Sequence, residues 1–171
     1  MNGNQNKEDN GRGQMNNKSY DLKMEKLKTD SNKSFYYKRL GMELCDLPKK
    51  GKASVAVKIK KRRHFHLYGK MHGGVTLSLA DAAGGAALAS VLDQEQKVAT
   101  IALSLHFTAP ANEGKVIANA KVIDCKQHFG TVEVSVVNET DDDERRKRGK
   151  VIAHGIAMYA ILSPINFQRK D

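Results

Sequence analysis

A chain of 171 residues, 40% hydrophobic and 28% charged, is long enough for one domain with a sizeable core and short for two. Its net charge of +10 suits an anionic partner, whether a phosphate-bearing ligand, a nucleic acid or a membrane surface, without choosing among them. Cys45 and Cys125, eighty residues apart, form neither a CxxC site nor a disulfide framework, which points to a reducing, cytoplasmic setting with both as small buried hydrophobes.

Residues 1–33 are polar throughout and lack the apolar run of a secretory signal. Rich in Asn, Lys, Asp and Gly, they offer little apolar surface to offset the entropy of ordering, so a disordered segment is expected there. A single domain is expected over 34–164, followed by a loose tail, 165–171. Ser34 as N-cap and Gly41 as stop frame a short helix over 34–40. GMELCD reads as a first strand ending in a Pro/Lys/Gly turn. In the next strand Ala53, Val55, Val57 and Ile59 alternate with Lys52, Ser54, Lys58 and Lys60. A loop over 61–71 follows.

From Gly73 to Leu92 come twenty residues, six of them Ala and four Gly, with Asp81 as the one ionisable side chain. The length approaches that of a membrane span. A mid-helix Asp costs about 2.5–3.5 kcal/mol on insertion, however, so a helix buried in protein is expected. Gly84 and Gly85 each weaken it by about 0.5–1 kcal/mol relative to Ala, which calls for a compensating close approach to a partner surface.

Four strands follow. VATIALSLHFTAP alternates Ile101, Leu103, Leu105 and Phe107 against Thr100, Ala102, Ser104 and His106. GKVIANAKVIDC and GTVEVSVVNET repeat the period of two. DDDERRKRGK reads as a charged hairpin tip, and KVIAHGIAMYAIL, apolar on both faces, as a central strand. The order is a short helix, two strands, one long small-residue helix and four antiparallel strands. The fold class is α+β, with the sheet wrapped around the only helix able to cover it.

Two features carry chemistry. Asp81 in an apolar helix needs a partner or a reaction to justify its lost hydration. His72, Gly73 and Gly74 open the same helix, where glycine amides can face a developing negative charge. Nine residues, about 2.5 turns or 13 Å, separate His72 from Asp81, so one helix cannot bring both to one substrate. His64 and His66 share HxH spacing, but no third ligand follows and no metal site is expected. His106, His128 and His154 read as isolated residues. Residues 35–71 carry eleven Lys/Arg against two acids, whereas 72–140 carry four against seven, so a basic face precedes a more acidic body.

HLYGKMHGGV (66–75), LADAAGG (79–85) and TIALSLHFTAPA (100–111) together resemble the hotdog-fold acyl-CoA thioesterases, in particular the phenylacetic-acid-pathway type. The resemblance implies a six-stranded antiparallel sheet around the helix, a homodimer pairing into a homotetramer, and active sites shared across the dimer interface. It assigns the Gly73 amide to the thioester carbonyl, Asp81 to general base or nucleophile, and Thr100 to holding the carboxylate or water. His72 would orient the turn. His66 stands where the family has Asn, and because histidine titrates near neutrality either a pH-dependent rate or a reduced activity is expected. Gly74, Lys61, Arg62 and Arg63 would meet the substrate, the basic side chains matching the phosphates of CoA.

No cofactor is expected, CoA being part of the substrate, a small aryl or medium-chain acyl thioester. The alternative is an acyl-CoA-binding sensor or regulator without catalysis. A nucleic-acid partner is disfavoured, because residues 1–34 lack the apolar residues of a helix-turn-helix and the basic clusters lack stacking aromatics.

Overall fold

The computed structural model describes residues 17–140 and 149–163. Its elements run α1 (Asn17–Lys33), α2 (Phe35–Leu40), β1 (Met42–Asp46), β2 (Lys52–Lys58), α3 (Lys61–His64), α4 (Gly73–Ala89), β3 (Lys97–Phe107), β4 (Lys115–Cys125), β5 (Phe129–Glu139) and β6 (Lys150–Leu162). The strands form one antiparallel sheet in the order β1-β2-β4-β5-β6-β3. The expected hairpin tip at 141–148, the tail from 164 and the first sixteen residues lie outside the described residues.

The period-two patterns put Val55 and Val57 of β2, Val116 and Ala118 of β4, and Val132, Val134 and Val136 of β5 on one buried face. Leu79, Ala80, Ala83, Ala87 and Leu88 of α4 fill that face. Small side chains let the helix axis approach the sheet, which explains why a helix so poor in large residues forms the centre of the core. Gly84 explains itself here. A Cβ at that position would collide with the Tyr159 hydroxyl, so the close approach is to β6 of the same chain, whereas Gly85 makes ordinary contacts. β6 lies one place in from the edge, between β5 and β3, and its outward residues Ile156 and Met158 stay exposed.

Four expectations need correction. The segment expected to be disordered over 1–33 forms a 17-residue helix from Asn17. Lys23 Nζ donates to the carbonyls of Ala89 and Leu92, Lys28 Nζ donates to Cys45 O at 2.7 Å, and Met24 is buried. Polar side chains reaching the main chain supply what the sparse apolar surface does not. The loop over 61–71 contains α3 and a Phe65–Met71 bridge. Cys125 is exposed and Cys45 only partly covered, so neither is the small buried hydrophobe expected. The alternation in β3 breaks at a bulge between Thr100 and Ala102, so Thr100, opposite the buried Tyr159, joins Leu103 and Leu105 on the helix side.

Candidate active site

At the start of α4, backbone and imidazoles build one compact turn. His64, 1% exposed, accepts from Lys60 N–H through Nδ1 at 3.0 Å and donates from Nε2 to Leu40 O at 2.7 Å. Its own carbonyl accepts from His72 N–H at 2.7 Å, so it ties the ends of β2 and α2 to the start of α4. With both ring nitrogens engaged, His64 is structural. His66 Nδ1 accepts from Tyr68 N–H at 3.0 Å, and His72 Nδ1 accepts from Gly74 N–H at 2.9 Å. Each ring therefore uses Nδ1 on the amide two residues ahead, which leaves the proton of the neutral ring on Nε2. The two rings meet edge to face, their centroids 6.3 Å apart.

His72 is the N-cap of α4 and consumes the Gly74 amide. Gly73 N–H has no acceptor among the described residues. It is an unsatisfied donor at the positive end of a 17-residue helix. Gly73 lines a cleft of about 370 Å³ with Met71, Phe107, Pro110 and Ile152. On the other side of the same turn a second cleft, about 330 Å³, is lined by Tyr36, Arg63, His72, Gly74 and Ser78. Of the three basic residues expected at the substrate, Arg63 faces this cleft, its guanidinium lying over Gly41. Lys61 and Arg62 are exposed on α3 and line neither cleft.

Asp81 lies two and a half turns further along α4, half-buried. The β3 bulge aims Thr100 at it: Thr100 Oγ1 donates to Asp81 Oδ1 at 2.7 Å. The Tyr159 hydroxyl donates to the Asp81 backbone carbonyl at 2.9 Å. Burial, and secondarily the charge of Asp81, pushes the Tyr159 phenol far above the usual tyrosine range. Burial pushes Tyr37 of α2 up to about 12, with Asp81 again adding to the shift. Thr100 thus holds the Asp81 carboxylate while Tyr159 holds its backbone carbonyl. Tyr159 and Tyr37 were not singled out in the sequence. The one signal for Tyr159 was Gly84, a mid-helix glycine that needed a large neighbour.

The predicted residues therefore fall into two groups. His66, His72, Gly73 and Gly74 stand together at the start of α4, and Asp81 and Thr100 at its middle.

The profile of the thioesterase superfamily matches residues 68–144, a span holding Gly73, Asp81 and Thr100. The fold is the hotdog fold. A thioesterase from Haemophilus influenzae superposes on the hotdog with a TM-score of 0.73 at 19% identity, over 85% of this chain and 94% of that one. The Escherichia coli PaaI protein of the phenylacetic acid degradation operon does so with a TM-score of 0.70 at 20% identity, over 83% and 95%. A protein of Halobacterium salinarum provisionally named an esterase is 35% identical over 89 residues, 51% of this chain and 58% of its own length. A 1,4-dihydroxy-2-naphthoyl-CoA hydrolase of Listeria monocytogenes is 26% identical over 102 residues, 60% and 81% of the two chains. The chain thus spans little more than half the length of the Halobacterium relative. No helix among the described residues is long and apolar enough to cross a membrane.

Proposed function

We propose that this protein is an acyl-CoA thioesterase that hydrolyses a small aryl or medium-chain acyl-CoA ester to the free acid and CoA, at a site completed by a second copy of the chain. The observation that carries the reading is the Thr100–Asp81 hydrogen bond. It holds a carboxylate in one rotamer on the same helix whose first residue has an unused amide. The CoA hydrolase relative supports the substrate class.

Asp81 takes a proton from water, the water oxygen attacks the thioester carbonyl, and the oxyanion that forms faces a Gly73 N–H. Collapse expels the CoA thiolate, which recovers the proton from Asp81. Direct attack by the carboxylate, through an anhydride that water then opens, uses the same two groups. Eight helical positions hold the two about 12 Å apart within one chain. Two antiparallel α4 helices across a dimer axis would bring Gly73 of one copy to Asp81 of the other. Dimers pairing into tetramers would leave that arrangement intact. Arg63, beside the cleft at His72, is the basic group best placed for a CoA phosphate.

A panel of aryl and acyl CoA esters, assayed by free-thiol release with wild type and Asp81→Asn side by side, tests the reading. Hydrolysis by wild type should fall at least a hundredfold in the variant, as expected when a positioned base is removed. Equal rates would remove Asp81 from the chemistry. Binding of the esters without any turnover would make the protein a sensor instead.

A further inference from the structure

Helix α2 precedes the span matched by the superfamily profile, yet it touches the catalytic face of α4. We propose that Tyr36 is a positioning residue, acting through Ser78 on the first turn of α4 so that the Gly73 amide is held rigid; the assignment rests on the thioesterase reading above. The Tyr36 hydroxyl lies 2.6 Å from Ser78 Oγ. Ser78 Oγ in turn donates to Gly74 O, one turn back, at 2.8 Å. A hydroxyl has one proton, and Ser78 has used it, so Tyr36 is the donor in the first link. The relay runs from Tyr36 O–H to Ser78 Oγ and from Ser78 O–H to Gly74 O.

The need for it follows from the residues it reaches. Two consecutive glycines have more backbone freedom than any other pair, whereas an oxyanion donor works only if it is already aimed. Gly73 carries no side chain with which to anchor itself. The backbone around it is held instead. His72 O accepts from Val75 N–H at 2.9 Å, Gly74 N–H is bound by His72 Nδ1, and Gly74 O receives the Ser78 hydroxyl. From outside α4, His64 O holds the His72 amide, and Tyr36 of α2 reaches the turn through the Ser78 hydroxyl.

That element is itself fixed. Ser34 caps the start of α2 by accepting from Tyr37 N–H, and Gly41 closes its end at φ 69°. The last carbonyl of α2, at Leu40, receives the His64 Nε2 proton. The neighbouring Tyr37 packs against the core, and Tyr36 and Leu40 line one cleft with Gly74 and Ser78. Tyr36 is thus a donor at a set distance from α4 rather than a free surface side chain.

The experiment compares wild type, Tyr36→Phe, Ser78→Ala and the double variant, with Phe35→Ala as control because that ring is 94% exposed on the same helix and off the relay. Two readouts are taken on the full chain: kcat and KM on the best thioester, and deuterium uptake of the peptide covering 73–78. Each single variant should lower kcat about three- to tenfold, the loss expected for one hydrogen bond, with KM unchanged. The double variant should lose no more than either single one, because the two act in series. Uptake at 73–78 should quicken by a similar factor while uptake at 84–89 stays put. Wild-type kcat and uptake in Tyr36→Phe would overturn the proposal, as would a uniform rise in uptake across the chain, which marks a merely structural role. Ser78→Ala gives the same reading should Tyr36→Phe not fold. If wild type hydrolyses no thioester, the thioesterase reading fails by itself and the uptake data still decide the relay.

Discussion

His66 stands where the family that the sequence resembles has Asn, and the local geometry gives the reason it is tolerated. Its Nδ1 accepts from the amide two residues ahead, at Tyr68. An asparagine side-chain oxygen makes the same contact in an Asx-turn, so the imidazole and the amide are alternative ways to close one loop. His66→Asn should therefore keep stability within about 0.5 kcal/mol, the range of surface changes that break no special feature. His66→Ala should lose the loop contact, at about 1 kcal/mol. Urea unfolding of both variants checks the pair, and a large loss in His66→Asn would show that the ring is needed for more than the turn. The candidate residues that local spacing singles out are His72 and Gly73, by their place before a helix, and Asp81, by being alone in an apolar run. Thr100 was named but placed on the wrong face. A bulge changes which face a side chain takes and leaves no mark in a period-two count. Tyr159 and Tyr36 reach α4 from 78 and 42 residues away, and no local pattern registers such contacts.

At the scale of elements, α1 is where composition misled. A count of apolar residues treats Lys and Asn as solvent-bound, and here they bind main-chain groups that nothing else satisfies. At the negative end of α4 the Lys23 ammonium meets the carbonyl of Ala89, the last residue of the helix, and that of Leu92 just beyond it. Burial pulls the pKa of that ammonium below the usual lysine range, against the opposing pull of Asp93, so it has given up much of its water for these bonds. Asn32 does the same for a strand. Its Oδ1 accepts from Leu44 N–H at 2.7 Å and its Nδ2 donates to Leu44 O at 3.3 Å, so one amide side chain stands in for a neighbouring strand. Lys23→Met keeps the length of the side chain and removes the donor. It should destabilise the domain by about 1–3 kcal/mol, the cost of leaving half-buried acceptors unpaired. It should also speed deuterium uptake in α1 more than in β4 and β5. An unchanged unfolding midpoint would mean that α1 is held by Met24 and Leu27 alone.

For the whole molecule, the contrast between the two edges of the sheet matters most. β1 is covered by α1, with Asn32 and Lys28 occupying main-chain groups of Leu44 and Cys45. β3, eleven residues long and rich in apolar side chains, has β6 on one side and no strand on the other among the described residues. A long, apolar, unprotected edge is a template for another chain, and monomeric proteins blunt such edges with charge or cover. This one carries Lys97 at its start and no other charge. Ile101, at the bulge, is 51% exposed. A second copy paired along β3 would cover it, extend the sheet, and bring two α4 helices side by side, the arrangement that the separation of Gly73 and Asp81 calls for. The protein should therefore sediment as a dimer or a pair of dimers. Ile101→Glu places a charge on the proposed seam, so it should shift the population toward monomer. Turnover should fall in proportion to the dimer lost, while the circular dichroism of the folded chain stays unchanged. If instead the variant is monomeric and fully active, each chain holds a complete site, and the eight helical positions from Gly73 to Asp81 are bridged by the substrate rather than by a partner.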